Sequence, residues 1–178
     1  HLSIFGMHPV VKHGSEPMRK KYLPEVARGK LHVAFGVTEP NAGSDTTSIE
    51  TFARLEGDHY LVKGRKIWTT KALESEKVLL LVRTQKKDEV QRKTDGMTLL
   101  LADLQKPEVS ISPIPKLGRN AVRTCEVVYE DLEVHISDRV GEEGKGFRYL
   151  LDGLNAERIL IAAESLGIGR AALRRAVQ

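Results

Sequence analysis

The stretch Phe35-Gly36-Val37-Thr38-Glu39-Pro40-Asn41-Ala42-Gly43-Ser44-Asp45-Thr46-Thr47-Ser48 begins as an apolar, strand-like run and breaks into residues too small and too polar for a core. Gly43 leaves room for another molecule to approach the main chain, and Ser44, Asp45 and Thr46 offer short hydroxyl and carboxyl groups with N–H donors between them. Such a nest suits a phosphate or pyrophosphate. The same residues also suit an ordinary loop in which Ser44 or Asp45 caps local backbone groups. No Gly-Lys-Ser/Thr follows, so the turn is not a P-loop, and it lacks the glycine fingerprint of a Rossmann unit.

Other residues invite chemistry by their setting. Near the C-terminus, Leu154, Glu157, Ile161, Glu164 and Ile168 fall on one stripe at 100° per residue, and no Lys or Arg lies three or four positions from either glutamate. A carboxylate desolvated without a partner has its pKa raised, as a general base working near neutral pH requires; a glutamate facing solvent at a kink or groove gives the same pattern. Arg158 lies about 100° round from Glu157, where it could pin an anionic ligand or a carbonyl. Trp68, the single tryptophan, alternates with Thr70 in a strand-like run. A large ring beside a hydroxyl suits a flat heteroaromatic ligand, and a strand tryptophan equally serves as core. Cys125 alternates with Val127 and Tyr129 and reads as packing. The six histidines show no metal-ligand spacing.

These residues need elements to hold them. Ser15 is a plausible N-cap for a short amphipathic helix beginning at Glu16-Pro17 and closing at Arg28-Gly29, after a first segment, 1–14, compatible with a helix end and a loop. Strand-like runs follow at 31–37, 49–55, 59–62, 66–70, 78–82, 97–102, 109–114 and 124–132. Gly57-Asp58 and Gly64-Arg65 are tight-hairpin candidates, and 85–96 is a charged, exposed loop. About seven or eight strands with no helix between them predict an antiparallel barrel or sandwich. The run 141–146 reads as a flexible connector. From Phe147 the pattern is helical and apolar all round, so the helix requires partners this chain does not supply, beyond its end or in another subunit. The fold class expected is α+β and multi-domain: 1–30 the end of one helical domain, 31–140 the β domain, 141–178 the start of a helical bundle.

Composition sets bounds. The 178 residues, 40% hydrophobic and 29% charged, predict folded, water-soluble material. The 28 basic and 24 acidic residues give +4, too scattered for a nucleic-acid footprint. One cysteine requires no oxidising compartment, and no apolar run approaches membrane-spanning length. With His1 first and no signal peptide, and with the last residues inside a helical pattern, both ends read as cut.

Taken together, these pieces resemble the acyl-CoA dehydrogenase family of flavoproteins. Residues Gly36 to Asp45 with Ser48 fit that family's first signature, Trp68-Thr69-Thr70 its Trp-x-Thr flavin segment, and Leu154-Asn155-Ala156-Glu157-Arg158 the start of its CoA-binding helix. Lys20-Lys21-Tyr22-Leu23-Pro24 and Thr124 to Leu132 agree in order, so the resemblance spans nearly the whole chain. It implies a middle β-barrel between two helical domains, with FAD contacted by Phe35, Val37, Thr38, Gly43 and Ser44 and by Trp68, Thr69 and Thr70. It further implies acyl-CoA contacts from Ser44, Thr84, Asn155 and Arg158. The implied reaction, a step of fatty-acid β-oxidation, removes an α-proton while the β-hydrogen leaves as hydride to flavin N5, giving the trans-2-enoyl thioester. Electrons then pass to an electron-transfer flavoprotein. A homotetramer in the cytoplasm or mitochondrial matrix is implied as well. Family members place the base either at the position of Glu157 or in a segment that would follow Gln178; Glu157, which the helix pattern singles out on its own, is the catalytic base expected here. A flavin oxidase or monooxygenase on the same scaffold, or a non-catalytic acyl-CoA or protein-binding module, are the rival readings. Two runs depart from the resemblance: Lys71-Ala72-Leu73-Glu74-Ser75-Glu76 replaces an Asn/Gly-rich segment, and His135-Ile136 stands where Val-Pro is usual.

Overall fold

A computed structural model describes residues 2–178. Helix α1 spans Leu2–His13 and α2 spans Glu16–Ala27. The first segment is therefore almost wholly helical, where a helix end and a loop were expected. Ser15 caps α2 as expected, its hydroxyl accepting from the Met18 N–H at 3.3 Å. Strands β1 (Val33–Gly36), β2 (Phe52–Glu56), β3 (His59–Thr70), β4 (Lys77–Arg83), β5 (Met97–Asp103), β6 (Val109–Pro113), β7 (Thr124–His135) and β8 (Arg139–Val140) follow, and helix α3 (Gly146–Ala176) ends the chain.

The strands form two four-stranded layers, β6-β7-β3-β2 and β1-β4-β5-β8, joined at one bridge, Phe52 to Arg83. The sheet-dominated body flanked by helices agrees with the sequence. The ladder is not closed, however, and it is mixed: β1 and β2 both pair with β4 in parallel. Chain connectivity explains the mixture. β1 leads into the signature turn and never forms a hairpin with β4, so nothing forces the two to run antiparallel.

β4 and β5 are buried on both faces. Val78, Leu80, Val82, Leu100 and Ala102 pack between the layers with Tyr60, Val62, Cys125, Val127 and Tyr129, whereas Leu79, Leu81, Leu99 and Leu101 pack against the helices with Met7, Val10, Tyr22 and Leu150. Burial on two sides explains why these strands read as unbroken apolar runs. Cys125 is core, as expected.

The expected hairpin at Gly57-Asp58 is present, pairing Glu56 with His59. The one at Gly64-Arg65 is not: β3 runs straight through, with a register shift against β7 between Val62 and Gly64. Gly64 sits at φ +150°, and a Cβ there would lie 2.6 Å from the Thr51 Cα. Glycine here serves the close approach to Thr51 opposite a bulge whose extra residue lies on β7, not a turn. Because the obstacle is backbone, Gly64→Ala is expected to cost roughly 2–4 kcal/mol, read as a lower urea midpoint with an unchanged slope.

The expected connector 141–146 is not slack. Tyr60 and Thr98 reach into it, the Tyr60 hydroxyl donating to the Glu143 carboxylate and the Thr98 hydroxyl accepting from the Gly144 N–H at 2.9 Å. Only the first part of α3 packs on the body, against α1 and β5. Ile159, Leu166, Ile168, Leu173 and Val177 are exposed, in line with a helix that needs partners. Among the described residues no helix is long and apolar enough to cross a membrane.

Candidate active site

The signature turn is fastened to β3 beside the tryptophan. Ile67 donates its N–H to the Thr38 carbonyl at 2.9 Å, and the Lys66 ammonium donates to the Val37 carbonyl at 3.0 Å and to the Glu39 carboxylate at 2.7 Å. Glu39 also accepts from the N–H groups of Glu50 and Thr51. Lys66 is fully buried and Glu39 nearly so. Burial pulls the Lys66 ammonium down to about 8 against the attraction of Glu39. Burial pushes the Glu39 carboxyl up, but Lys66 and the N–H donors outweigh it and leave it below its ordinary value. Neither residue was singled out in the sequence, because a lysine in a strand gives no sign that it points inward.

The turn divides into two parts. Asp45 caps the short helical turn Thr46–Ser48, accepting from the Thr47 N–H at 3.1 Å and the Ser48 hydroxyl at 2.6 Å. Asp45 thus takes the local capping role. Gly43 and Ser44 remain exposed, and a Cβ on Gly43 would meet nothing within 4 Å. The end of the turn is gripped by the buried Arg83, whose guanidinium donates to the carbonyls of Thr47, Ile49, Lys93 and Asp95. Arg83 too escaped sequence reading.

Trp68 is not core. It is 54% exposed and sits at φ +62°, in a second register shift between Lys66 and Thr69. Two residues there oppose one on β7, so the indole is turned out while Lys66 and Thr69 on either side are turned in. A left-handed backbone at a bulky residue is costly and occurs where the surroundings impose it. Thr69 is buried, 1% exposed. Thr70 is half-buried, its hydroxyl 3.4 Å from that of Thr124.

Thr70 and Thr124 line one wall of a cleft of about 750 Å³ whose opposite wall is α3, with Glu157, Ile161 and Glu164. The loop from Lys116 to Val122 lines it as well. Glu157 also borders an apolar slot with Phe5, Pro9, Phe35, Leu150 and Leu154, so the residue lines both the slot and the cleft. It is half-buried, and no hydrogen bond or ion pair reaches it among the described residues. Glu164 corrects the sequence expectation: it has a cation after all, Arg119 of the β6–β7 loop, at 3.2 Å. Helix-local spacing could not reveal a partner from another element.

Arg158 and Asn155 are exposed and bonded to each other at 2.9 Å. Val37 and Phe35 are half-buried at the base of the signature turn. Thr84 lies away from the Glu157 cleft, its hydroxyl 2.8 Å from that of Thr98. The run 71–76 is structural: Glu74 holds Arg123 at 2.7 Å, and Glu76 accepts from the His32 N–H at 2.7 Å.

Comparison with known proteins places this geometry. The sequence model of the acyl-CoA dehydrogenase middle domain matches residues 34–132. The chain is 36% identical over 171 residues to a 3-(aryl)acrylate reductase of Clostridium sporogenes, covering 96% of this chain and 44% of the relative. It is 37% identical over 166 residues to a short-chain-specific acyl-CoA dehydrogenase of Clostridium acetobutylicum, covering 93% and 43%. It superposes on butyryl-CoA dehydrogenase from Megasphaera elsdenii with a TM-score of 0.90 at 31% identity, covering 99% of this chain and 46% of that one. The chain thus spans less than half the length of the relatives it matches.

Proposed function

The chain belongs to the acyl-CoA dehydrogenase family, and from that premise we propose that it forms part of an FAD-dependent enzyme that converts an acyl-CoA thioester to its trans-2-enoyl form. The observation that carries this reading is the shared cleft: Thr70, beside the outward indole, faces a glutamate without a partner across one space.

The residues present fit FAD. An indole held outward in a left-handed backbone is available to a flat ring, and the open space at Gly43 admits a pyrophosphate close to the main chain. Phe35, Val37, Thr38, Gly43 and Ser44 would hold one side of the cofactor, with Trp68, the Thr69 main chain and the Thr70 hydroxyl at its ring. Bound there, FAD supplies at N5 an acceptor for the hydride that leaves the β-carbon. Glu157 takes the α-proton, its oxygens free of other bonds and its surroundings partly apolar. Ser44, Thr84, Asn155 and Arg158 contact the acyl-CoA, Arg158 offering a charge that suits its phosphates. Electron-transfer flavoprotein receives the electrons. In this reading 1–30 and 141–178 belong to two helical domains, and a homotetramer in the cytoplasm or mitochondrial matrix covers the exposed face of α3. A second reading, reduction of a substrate double bond, draws on the likeness to the arylacrylate reductase.

The test is optical. The full-length protein is expected to purify yellow, to bleach anaerobically when acyl-CoA is added, and to recolour slowly in air. Rapid recolouring indicates an oxidase, bleaching only by external reductant followed by enoyl reduction indicates the second reading, and a colourless protein indicates a binding module. Trp68→Ala is expected to weaken FAD retention by roughly two- to tenfold, a ring contact being worth roughly 0.5–1.5 kcal/mol.

A further inference from the structure

At the far end of β3 from Trp68, about 30 Å away by strand rise, three ligand-type side chains converge. Asp58 lies in the β2–β3 turn, His59 is the first residue of β3, and His135 is the last residue of β7 and the cross-strand partner of His59. We propose that Asp58, His59 and His135 form a surface site for a divalent d-block cation such as Zn²⁺ or Ni²⁺.

The geometry is that of two imidazoles around one carboxylate. His59 Nδ1 stands 2.6 Å from Asp58 Oδ1, and His135 Nε2 stands 3.4 Å from Asp58 Oδ2. One ligand atom from each residue lies within 4.8 Å of the others. A tetrahedral ion with bonds of about 2.0–2.2 Å needs ligand atoms roughly 3.4 Å apart, close to the separations already present around the exposed Asp58 and the half-buried histidines. The two rings meet edge to face, 4.9 Å between centroids, so neither blocks the other.

The backbone holds the two contributing segments together before any ion arrives. The Ile136 N–H donates to the Asp58 carbonyl at 2.9 Å, tying the turn to the end of β7. Ser137 supplies an outer partner for His135: its N–H donates to His135 Nδ1 at 3.1 Å, and its hydroxyl lies 2.7 Å from the same nitrogen. With Nδ1 accepting, the ring proton stands on Nε2 toward Asp58 Oδ2; a cation arriving at Nε2 takes that proton's place, and Nδ1 then turns donor to the Ser137 hydroxyl, giving up the backbone N–H. Two nitrogens and one carboxylate oxygen favour Zn²⁺ or Ni²⁺ over Mg²⁺. Three protein ligands leave at least one position to water. His135 is also one of the residues by which the sequence departs from its family resemblance, and the acyl-CoA reading makes no use of it.

The full-length protein, stripped with EDTA and desalted, is titrated calorimetrically with ZnCl₂ and NiCl₂, with MgCl₂ as control. One saturable equivalent of Zn²⁺ or Ni²⁺ is expected and none of Mg²⁺. His59→Gln and His135→Gln are each expected to weaken binding by at least about tenfold while leaving the yellow colour and the bleaching by acyl-CoA unchanged. Asp58→Asn provides a third variant if either histidine change impairs folding. Absence of saturable binding, or binding that survives all the variants undiminished, overturns the proposal, in which case Asp58 simply bridges two histidines at the surface.

Discussion

In Glu157→Gln, reduction of the flavin by acyl-CoA is expected to fall by roughly 10²–10⁴-fold while FAD content stays at the parental level. Glutamine keeps the size and polarity of the side chain but cannot take a proton. The expectation rests on position: Glu157 reaches both the cleft beside Thr70 and the apolar slot beside Phe35, with no cation occupying its oxygens among the described residues. Glu164 provides the internal control. It borders the same cleft, but Arg119 already holds it at 3.2 Å, so Glu164→Gln should change the rate only severalfold. Stopped-flow absorbance under anaerobic conditions separates proton abstraction from later electron transfer. Near-parental reduction in Glu157→Gln would assign the base to a carboxylate in a segment after Gln178.

The largest effect on stability is expected from Lys66→Met. The substitution removes the cation from a buried pair and leaves Glu39 with two N–H donors and no ion-pair partner. Breaking one side of such a pair costs about 3–5 kcal/mol, or a fall of roughly 6–20 °C in melting temperature for a chain of this size. Adding Glu39→Gln to Lys66→Met should recover part of the loss, because the orphaned charge is gone. The pH dependence follows from the lowered Glu39 pKa. A carboxyl held below its unfolded value contributes stability that is complete above that unfolded value and disappears as pH falls through the folded one. Thermal melts on the acid side should therefore converge for the parent and Glu39→Gln, having differed at neutral pH. FAD retention should fall with Lys66→Met as well, since Lys66 ties the signature turn to the strand that carries Trp68.

Much of this was legible in the sequence because it depends on neighbours along the chain. The Ser15 cap, the runs that became strands, the charged loop at 85–96 and the polar break after Phe35 all follow from spacing and turn chemistry. What escaped depends on partners from elsewhere. Gly64 reads the same opposite a bulge as in a hairpin until the neighbouring strand is present. Trp68 and Lys66 share one strand parity, so alternation alone would place them on one face; the bulge between them sends one outward and the other into the core. The cation for Glu164 comes from a loop, and His135 meets Asp58 and His59 only through the β3–β7 ladder.

The leucine triplets of β4 and β5, apolar on both faces, carry a hazard of mispairing. Sliding one of these strands past the other by a single residue still sets leucine against leucine, and no polar side chain among the triplets would be dragged into the interior to object. Alignment must therefore be policed from the strand ends. Lys77 meets Asp103 at 3.2 Å at one end and Thr84 meets Thr98 at 2.8 Å at the other, and a slipped hairpin would forfeit both clasps at once.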